Sequence, residues 1–574
     1  MLFRSVLLKG KIKGGQWNKQ MNVSYYEILR NSAPVDRGLI PVYALSEGLT
    51  QKIFRDCVQN ILQEYGRNYP ELFPEPLRIK YGLIPIVDAW QEIHFPTNTT
   101  KFEAARRRLA WEELLLLRLL AYITQERLTP PDKIRCSLQK KQLPELREIL
   151  PYPLTKAQNR VLQEIRSDLQ KPVPMQRLLQ GDVGSGKTVV AFMAMLMSIE
   201  AGQQAVFMVP TEILAQQHYT NLLPLAERLQ IVVALLTSST LSKERTTILT
   251  ALRSGDIHIL IGTHALLQPD LEFASLGMVV IDEQHRFGVK QRAYLSNHAD
   301  HPDSLVMTAT PIPRTLALAI YGQLYVSVID ELPPGRQMIK TKFLPLDKRW
   351  QAYQFVRGEM EGGGQAYVVC PLVEESETQD LSNANEVYTE LTNWFGENFR
   401  LGLVHGRMSA EEKRQTMEAF SQGIIQLLVA TTVIEVGVDV PNATVILVEH
   451  AERFGLSQLH QLRGRAGRGT RQSYCILLGE PKSETAVKRL RAMEETNDGF
   501  ELANLDLSIR GPGDIWGFKQ HGLEELKAVK LDQDQMLIAE ISNSIDQLLP
   551  DLEAAIWQEY LPIKFQNLDK IVLN

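Results

Sequence analysis

Residues 178–188 read Leu-Leu-Gln-Gly-Asp-Val-Gly-Ser-Gly-Lys-Thr and contain Gly181-x4-Gly186-Lys187-Thr188, the pattern of a phosphate-binding loop. The apolar lead-in Met175–Leu179 reads as a strand, and Val189–Ala201 reads as an apolar helix. Such a loop works in one structural context, the turn between a parallel strand and the helix it feeds, so it commits this part of the chain to an α/β architecture. Gly181, Gly184 and Gly186 let the backbone around Ser185 curl until successive N–H groups face one anion. The helix N-terminus adds its positive dipole end. Lys187 then reaches the outer phosphates of a nucleoside triphosphate, and the Thr188 hydroxyl is placed to ligate Mg2+. A glycine-rich turn that binds nothing is the bland alternative, and the flanking strand and helix disfavour it.

The texture around the loop supports the same reading. Short β-branched runs at Ala205–Pro210, Ile231–Leu236, Ile257–Thr263, Met278–Asp282 and Leu305–Thr308 alternate with helical segments, as in a parallel sheet with crossover helices. Pro333-Pro334-Gly335 is a strong break. The alternation then resumes at Ala366–Cys370, Leu401–His405, Gln426–Ala430, Val445–Val448 and Tyr474–Leu478, with no second phosphate loop. Two α/β lobes sharing one loop place a nucleotide at their interface.

Ahead of the first lobe, Leu49–Tyr65 reads as an amphipathic helix capped by Thr50, and about Thr100–Thr124 as a longer one. The latter carries Arg106-Arg107-Arg108, which reads as a solvated face rather than a DNA contact. Arg4–Leu8 and Met21–Leu29 look like strands around Gly14-Gly15, which favours structure over an organelle-targeting leader despite five basic residues and no acid in residues 1–26.

Charge narrows the partners. The net charge of −5 gives no global polyanion signal, but residues 491–574 hold 7 basic and 16 acidic side chains, so the remainder is net positive. A nucleic-acid path must therefore be a local stripe outside the extreme C-terminus. The apolar run Leu114–Ile123 is broken by Arg118 and is too short to span a bilayer. Cys57, Cys136, Cys370 and Cys475 are scattered, which suits a reducing cytosol rather than a zinc ribbon or disulfide framework.

Three further constellations carry chemistry. Met278-Val-Val-Ile-Asp-Glu-Gln-His285 is a strand ending in carboxylates, which delivers Asp282 to a metal and Glu283 to the attacking water. Leu305-Val-Met-Thr-Ala-Thr-Pro311 ends another strand with Thr308 and Thr310, a relay to a second ligand or plain turn chemistry. In the second lobe, Gln461-Leu-Arg-Gly-Arg-Ala-Gly-Arg468 spaces Arg465 and Arg468 by three, one turn of a helix on a shared face. Inserted arginines of this kind stabilise phosphoryl-transfer charge. A solvated basic helix is the alternative.

Together these motifs resemble a superfamily 2 helicase motor. The match extends to Pro210-Thr-Glu-Ile-Leu-Ala-Gln216, Gly262-Thr-His-Ala-Leu266 and Ala430-Thr-Thr-Val-Ile-Glu-Val-Gly-Val-Asp-Val-Pro441. That resemblance implies strand contacts near Thr211 and Thr263, coupling through Thr431, and nucleotide contacts at Gly437 and Asp439. Phe287-Gly-Val-Lys-Gln-Arg292, Thr310-Pro-Ile-Pro-Arg314, Val404-His-Gly-Arg-Met408, Asp498-Gly-Phe500, Arg510-Gly-Pro-Gly513 and Gln520-His-Gly522 narrow it to the RecG family of branch-migrating DNA helicases. The family resemblance implies ATP and Mg2+ as cofactors, Tyr152 stacking on adenine, Gln158 reading its edge, and Arg510 and Gln520 in a lever that moves duplex DNA. It also implies forks and four-way junctions as partners, contact with a single-stranded-DNA-binding protein, a monomer, and a bacterial-type cytoplasm without membrane attachment.

The expected layout is a partial OB-fold wedge over 1–35, a helical linker over 36–148, an ATP-binding lobe over 149–335, a second RecA-like lobe over 336–490, and a translocation element with a helical tail over 491–574. The family begins with a full wedge, whereas residues 1–35 match only its last strands, so junction selectivity is the weakest part of the reading. An RNA helicase, or an ATP-gated DNA-binding protein that does not unwind, are the rival functions.

Overall fold

The computed structural model describes residues 6–13, 20–28, 41–44, 48–127, 142–150, 152–171, 173–268, 270–282, 302–308, 325–333, 337–371, 377–431, 440–467, 469, 471–510, 527–530, 534, 536–538 and 540–541. The chain divides into two compact units, one built mainly from Met1–Glu113 and the other mainly from Leu114–Glu525.

In the first unit, β1 (Val6–Lys13) and β2 (Gln20–Ile28) form an antiparallel hairpin whose register pairs Val6 with Ile28 and Lys13 with Gln20. The helix Gln51–Glu64 starts where Thr50 accepts the Ile53 N–H at 3.3 Å, as the capping pattern requires. The helix Thr99–Arg127, of which the residues up to Glu113 belong to this unit, buries Trp111 edge-on against Phe73. On this helix the solvated-face expectation fails for Arg106 and Arg108, while Arg107 is half-buried. Arg108 is fully buried, pairing with Glu112 at 2.9 Å and Glu71 at 2.8 Å and lying over the Phe73 ring. Arg106 is also buried and pairs with Glu103. The reason is partner supply: acids one turn along the helix and across the fold neutralise charges that the local pattern shows as unmatched.

The second unit contains two parallel sheets. The first has seven strands in the order β5-β6-β4-β7-β8-β3-β9. They are β3 (Gln176–Gly181), β4 (Gln204–Met208), β5 (Val233–Leu236), β6 (Ile259–Gly262), β7 (Leu276–Ile281), β8 (Asp303–Thr308) and β9 (Tyr325–Ile329). Every pairing in it is parallel. Near-continuous apolar runs such as Ala205–Met208 and Met278–Ile281 are buried on both faces, as expected when helices cover both sides. The second sheet has six strands in the order β10-β15-β14-β11-β13-β12, again all parallel. These are β10 (Lys340–Pro345), β11 (Gln365–Val369), β12 (Leu401–Val404), β13 (Leu427–Ala430), β14 (Ala443–Val448) and β15 (Tyr474–Gly479).

The two strands that pattern reading missed, β9 and β10, are both edge strands with half-exposed residues, so their apolar signal is diluted. The strand order places the ends of β6, β4, β7, β8 and β3 along one edge of the first sheet. Thr263, Thr211, Asp282, Thr308 and the phosphate loop are therefore carried to a single rim.

Candidate active site

The loop after β3 has the geometry its glycines call for. Gly184 and Gly186 have φ of 77° and 85°, a region in which side-chain-bearing residues are strained. A Cβ on Gly181 would lie 2.6 Å from Ser185 Oγ. The helix begins at Lys187, two residues before the apolar run that announces it, because its polar first turn belongs to the loop. Lys187 Nζ donates to the carbonyls of Gly181 at 2.8 Å and Asp182 at 2.9 Å, so its ammonium is folded over the cradle. Ser185 Oγ is buried and has no protein partner among the described residues, an oxygen left for a ligand or water.

The helix Lys156–Leu169 is locked onto this loop. Thr155 and Gln158 form a reciprocal capping box, and Gln158 Nε2 donates to Ser185 O at 2.8 Å. The buried Arg177 of β3 holds the other end of the helix through Asp168 and Glu164. Tyr152, just ahead of the helix, is half-buried, and desolvation raises its phenol above the ordinary value.

Asp282 stands at the end of β7, with its N–H on Met208 O and its carboxylate 3.4 Å from Nε2 of His218, a buried residue of the helix Glu212–Arg228. In the register of the sheet, Thr308 pairs with Gln180 and is buried beside the loop strand. Thr211 caps the helix Glu212–Arg228, accepting the Leu214 N–H at 3.4 Å. Thr263, after β6, and Thr431, after β13, are buried, and their hydroxyls meet no protein partner among the described residues.

From the second lobe, the helix Leu456–Arg463 reaches the loop directly. His460 Nε2 lies 2.6 Å from Asp182 Oδ1. Gly464 packs so closely on Val183 that an added Cβ would lie 2.8 Å from the valine Cβ. Burial by itself would raise the Asp182 carboxyl, but its hydrogen bond with His460, the Val183 N–H and the Lys187 charge outweigh that and hold it below the usual carboxylate range.

The expectation for the arginines needs correction here. The helix stops at Arg463 and Gly467 at φ 75° turns the chain, so Arg465 does not lie on a helix face, while Arg468 lies outside the described residues. Glycine at 464 and 467 breaks the period that the spacing suggested. Arg465 lies in the turn after the helix.

Comparison with known proteins decides the family. Residues 155–319 match the DEAD/DEAH box helicase model, 347–470 the helicase conserved C-terminal domain, and 496–572 domain 3 of ATP-dependent DNA helicase RecG. The chain is 46% identical to the ATP-dependent DNA helicase RecG of Bacillus subtilis over 95% of its own length and 80% of that protein's. It is 45% identical to that of Thermotoga maritima, over 93% and 69%. The chain belongs to the RecG family of ATP-dependent DNA helicases.

As a RecG-family member it is an ATP-hydrolysing, DNA-binding motor. The structure of RecG bound to a three-way DNA junction is similar to 93% of this chain, with 43% identity and a TM-score of 0.69, and the chain covers 70% of that one. Of the residues that sequence reading assigned, Glu283, Thr310, Gly437, Asp439, Arg468 and Gln520 lie outside the described residues. Arg510 closes the helix Gly499–Arg510. Sequence reading missed three residues: His218, His460 and Arg463. Arg463 is buried and donates to the carbonyls of Met493, Thr496 and Asn497 and to His460 Nδ1. Nothing in the local pattern marks these three, since each is defined by a partner remote in sequence. Among the described residues no helix is long and apolar enough to cross a membrane.

Proposed function

We propose that this chain uses ATP hydrolysis to drive branch migration of replication forks and four-way DNA junctions. The observation that carries this reading is its 43% identity, across 93% of its length, to the structure of RecG bound to a three-way DNA junction. In this scheme Lys187 and the N–H groups of Gly181–Thr188 hold the phosphates, while Tyr152 and Gln158 take the base. Gly437 and Asp439 approach the nucleotide from the second lobe.

The Thr188 hydroxyl and the Asp282 carboxylate are hard oxygen donors, the class that suits Mg2+. Bound there, the ion neutralises charge on the phosphate oxygens. Glu283 orients the attacking water, and Arg465 and Arg468 stabilise the charge that develops on the transferred group. Thr211, Thr263, Thr308, Thr310 and Thr431 link the nucleotide to a DNA strand. Arg510 and Gln520 act in a lever that turns each closure and reopening of the lobes into a step along the duplex.

The test is ATPase and branch migration on linear, forked and four-way DNA. Forked and four-way DNA are expected to stimulate turnover several-fold above linear duplex and to yield re-annealed arms. Equal stimulation by linear duplex, or stronger stimulation by structured RNA, overturns the reading. Arg510→Ala and Gln520→Ala should slow migration while ATPase persists; undiminished migration counts against a lever.

A further inference from the structure

His460 is 5% exposed and hydrogen-bonded at both ring nitrogens. Nδ1 faces Arg463 NH2 at 2.9 Å, and a guanidinium has only donors, so Nδ1 must accept. The imidazole proton therefore sits on Nε2 and is donated to Asp182 Oδ1 at 2.6 Å. The same Oδ1 also accepts the Val183 N–H at 2.6 Å, so the contact from the second lobe acts on an atom that already shapes the loop backbone. Further along each segment, Gly464 presses on Val183, so two consecutive loop residues are touched by the second lobe, one through a polar contact and one through an apolar one. Arg463 fixes the ring from behind, being held itself by bonds to the Met493, Thr496 and Asn497 carbonyls.

We propose that His460 is a positioning residue of the ATPase cycle: its Nε2–H···Oδ1 bond to Asp182 sets the phosphate loop in its working geometry only when the second lobe is in place. The loop's N–H groups and Lys187 share their backbone with Asp182, so a loop held by His460 presents them in register, and a loop released from it does not. Hydrolysis is thereby tied to lobe closure by a bond that touches neither nucleotide nor DNA. This rests on the loop at Gly181–Thr188 being the nucleotide site.

Two histidine variants separate the bond from mere packing. In His460→Gln the side-chain nitrogen reaches as far as imidazole Nε2; in His460→Asn it reaches only as far as Nδ1. With saturating forked DNA and the full chain, His460→Asn is expected to lower kcat about 10- to 100-fold, the range for one charge-assisted hydrogen bond, while KM for ATP changes less than threefold. His460→Gln should recover most of the loss. From the other side of the bond, Asp182→Asn keeps an oxygen for the Nε2–H and should lose less kcat than Asp182→Leu, which also serves if a histidine variant folds poorly. Equal kcat for His460→Asn and His460→Gln, equal losses for Asp182→Asn and Asp182→Leu, or an effect confined to KM would each overturn the proposal. Lys187→Ala run in parallel separates the two layers: if it keeps turnover, the loop assignment itself falls; if it is inactive while the His460 variants are normal, only the positioning role falls.

Discussion

Gln158 donates its side-chain amide to the carbonyl of Ser185 at 2.8 Å, so the helix that opens the first lobe is bonded to the turn that cradles phosphate. A Cβ on the next residue, Gly186, would run into the same Gln158 nitrogen, and φ there is 85°. Gly186→Ala therefore combines a strained backbone with a lost hydrogen bond inside the cradle. The expected result is nucleotide affinity weakened at least about tenfold, the cost of one such bond, with the overall fold retained. Titration with a fluorescent ATP analogue, alongside circular dichroism, checks it; unchanged affinity would contradict this account of the turn.

Lys187 donates to two carbonyls of its own loop, Gly181 O and Asp182 O, which holds its ammonium at the cradle. Lys187→Ala should cut DNA-stimulated ATP turnover by about 100-fold or more while leaving DNA binding largely intact. Steady-state ATPase and a gel-shift titration on forked DNA read the two effects separately.

In the first unit, Arg108 is fully buried between Glu112 and Glu71. Removing one partner of such a cluster leaves a buried charge unmatched and costs about 3–5 kcal/mol. Arg108→Ala should show a loss of that size in urea unfolding followed by Trp111 fluorescence, in a background with the other tryptophans replaced. Arg108→Met combined with Glu112→Gln and Glu71→Gln should lose clearly less, because no fully buried charge is stranded and only the 3.9 Å contact of Glu71 with the partly exposed Arg78 is given up. If the triple variant is as unstable as Arg108→Ala, packing on Phe73 rather than charge dominates.

Asp182 carries an acid-side signature. Its carboxyl is held below the usual range, because the His460 hydrogen bond, the Val183 N–H and the Lys187 charge outweigh the effect of burial. A carboxylate depressed on folding stabilises fully above its unfolded value, about 3.9, and that share is lost as the pH falls from there through the folded value. The gap in melting midpoint between the unmodified chain and Asp182→Asn should be constant from about pH 7 to pH 5 and shrink toward pH 3. A gap that stays constant to pH 3 would contradict the depressed carboxyl.

Burial pushes the Cys370 and Cys475 thiols up to about 12, with Glu449 adding to the effect at Cys370, whereas Cys57 is exposed. Thiolate is the reactive form, so a maleimide at pH 7.5 should label Cys57 quickly and Cys370 and Cys475 only after denaturation. Peptide mass mapping before and after urea gives the answer.

How much of this was legible in the residues can be judged element by element. The interior strands of both lobes were, because a strand buried on both faces must be apolar along its whole length, as at Met278–Ile281 and Val445–Val448. The edge strands β9 and β10 were not, because half-exposed strands carry a diluted pattern. The phosphate loop was legible because its requirements are local: positive φ at Gly184 and Gly186, and a lysine and a hydroxyl at the head of the following helix.

By itself, the sequence determined the architecture of the motor and its phosphate cradle, since periodicity and glycine placement act within a few residues of themselves. Only the tertiary structure decided that Asp182 meets His460, that Gly464 packs against Val183, and that Arg108 is a core residue instead of a surface one. Each of those depends on where a distant segment comes to rest, and hydrogen bonds and close packing act over a few ångströms of space regardless of separation along the chain. The same holds for Arg465, whose spacing from Arg468 suggested a helical face until the helix was seen to end at Arg463.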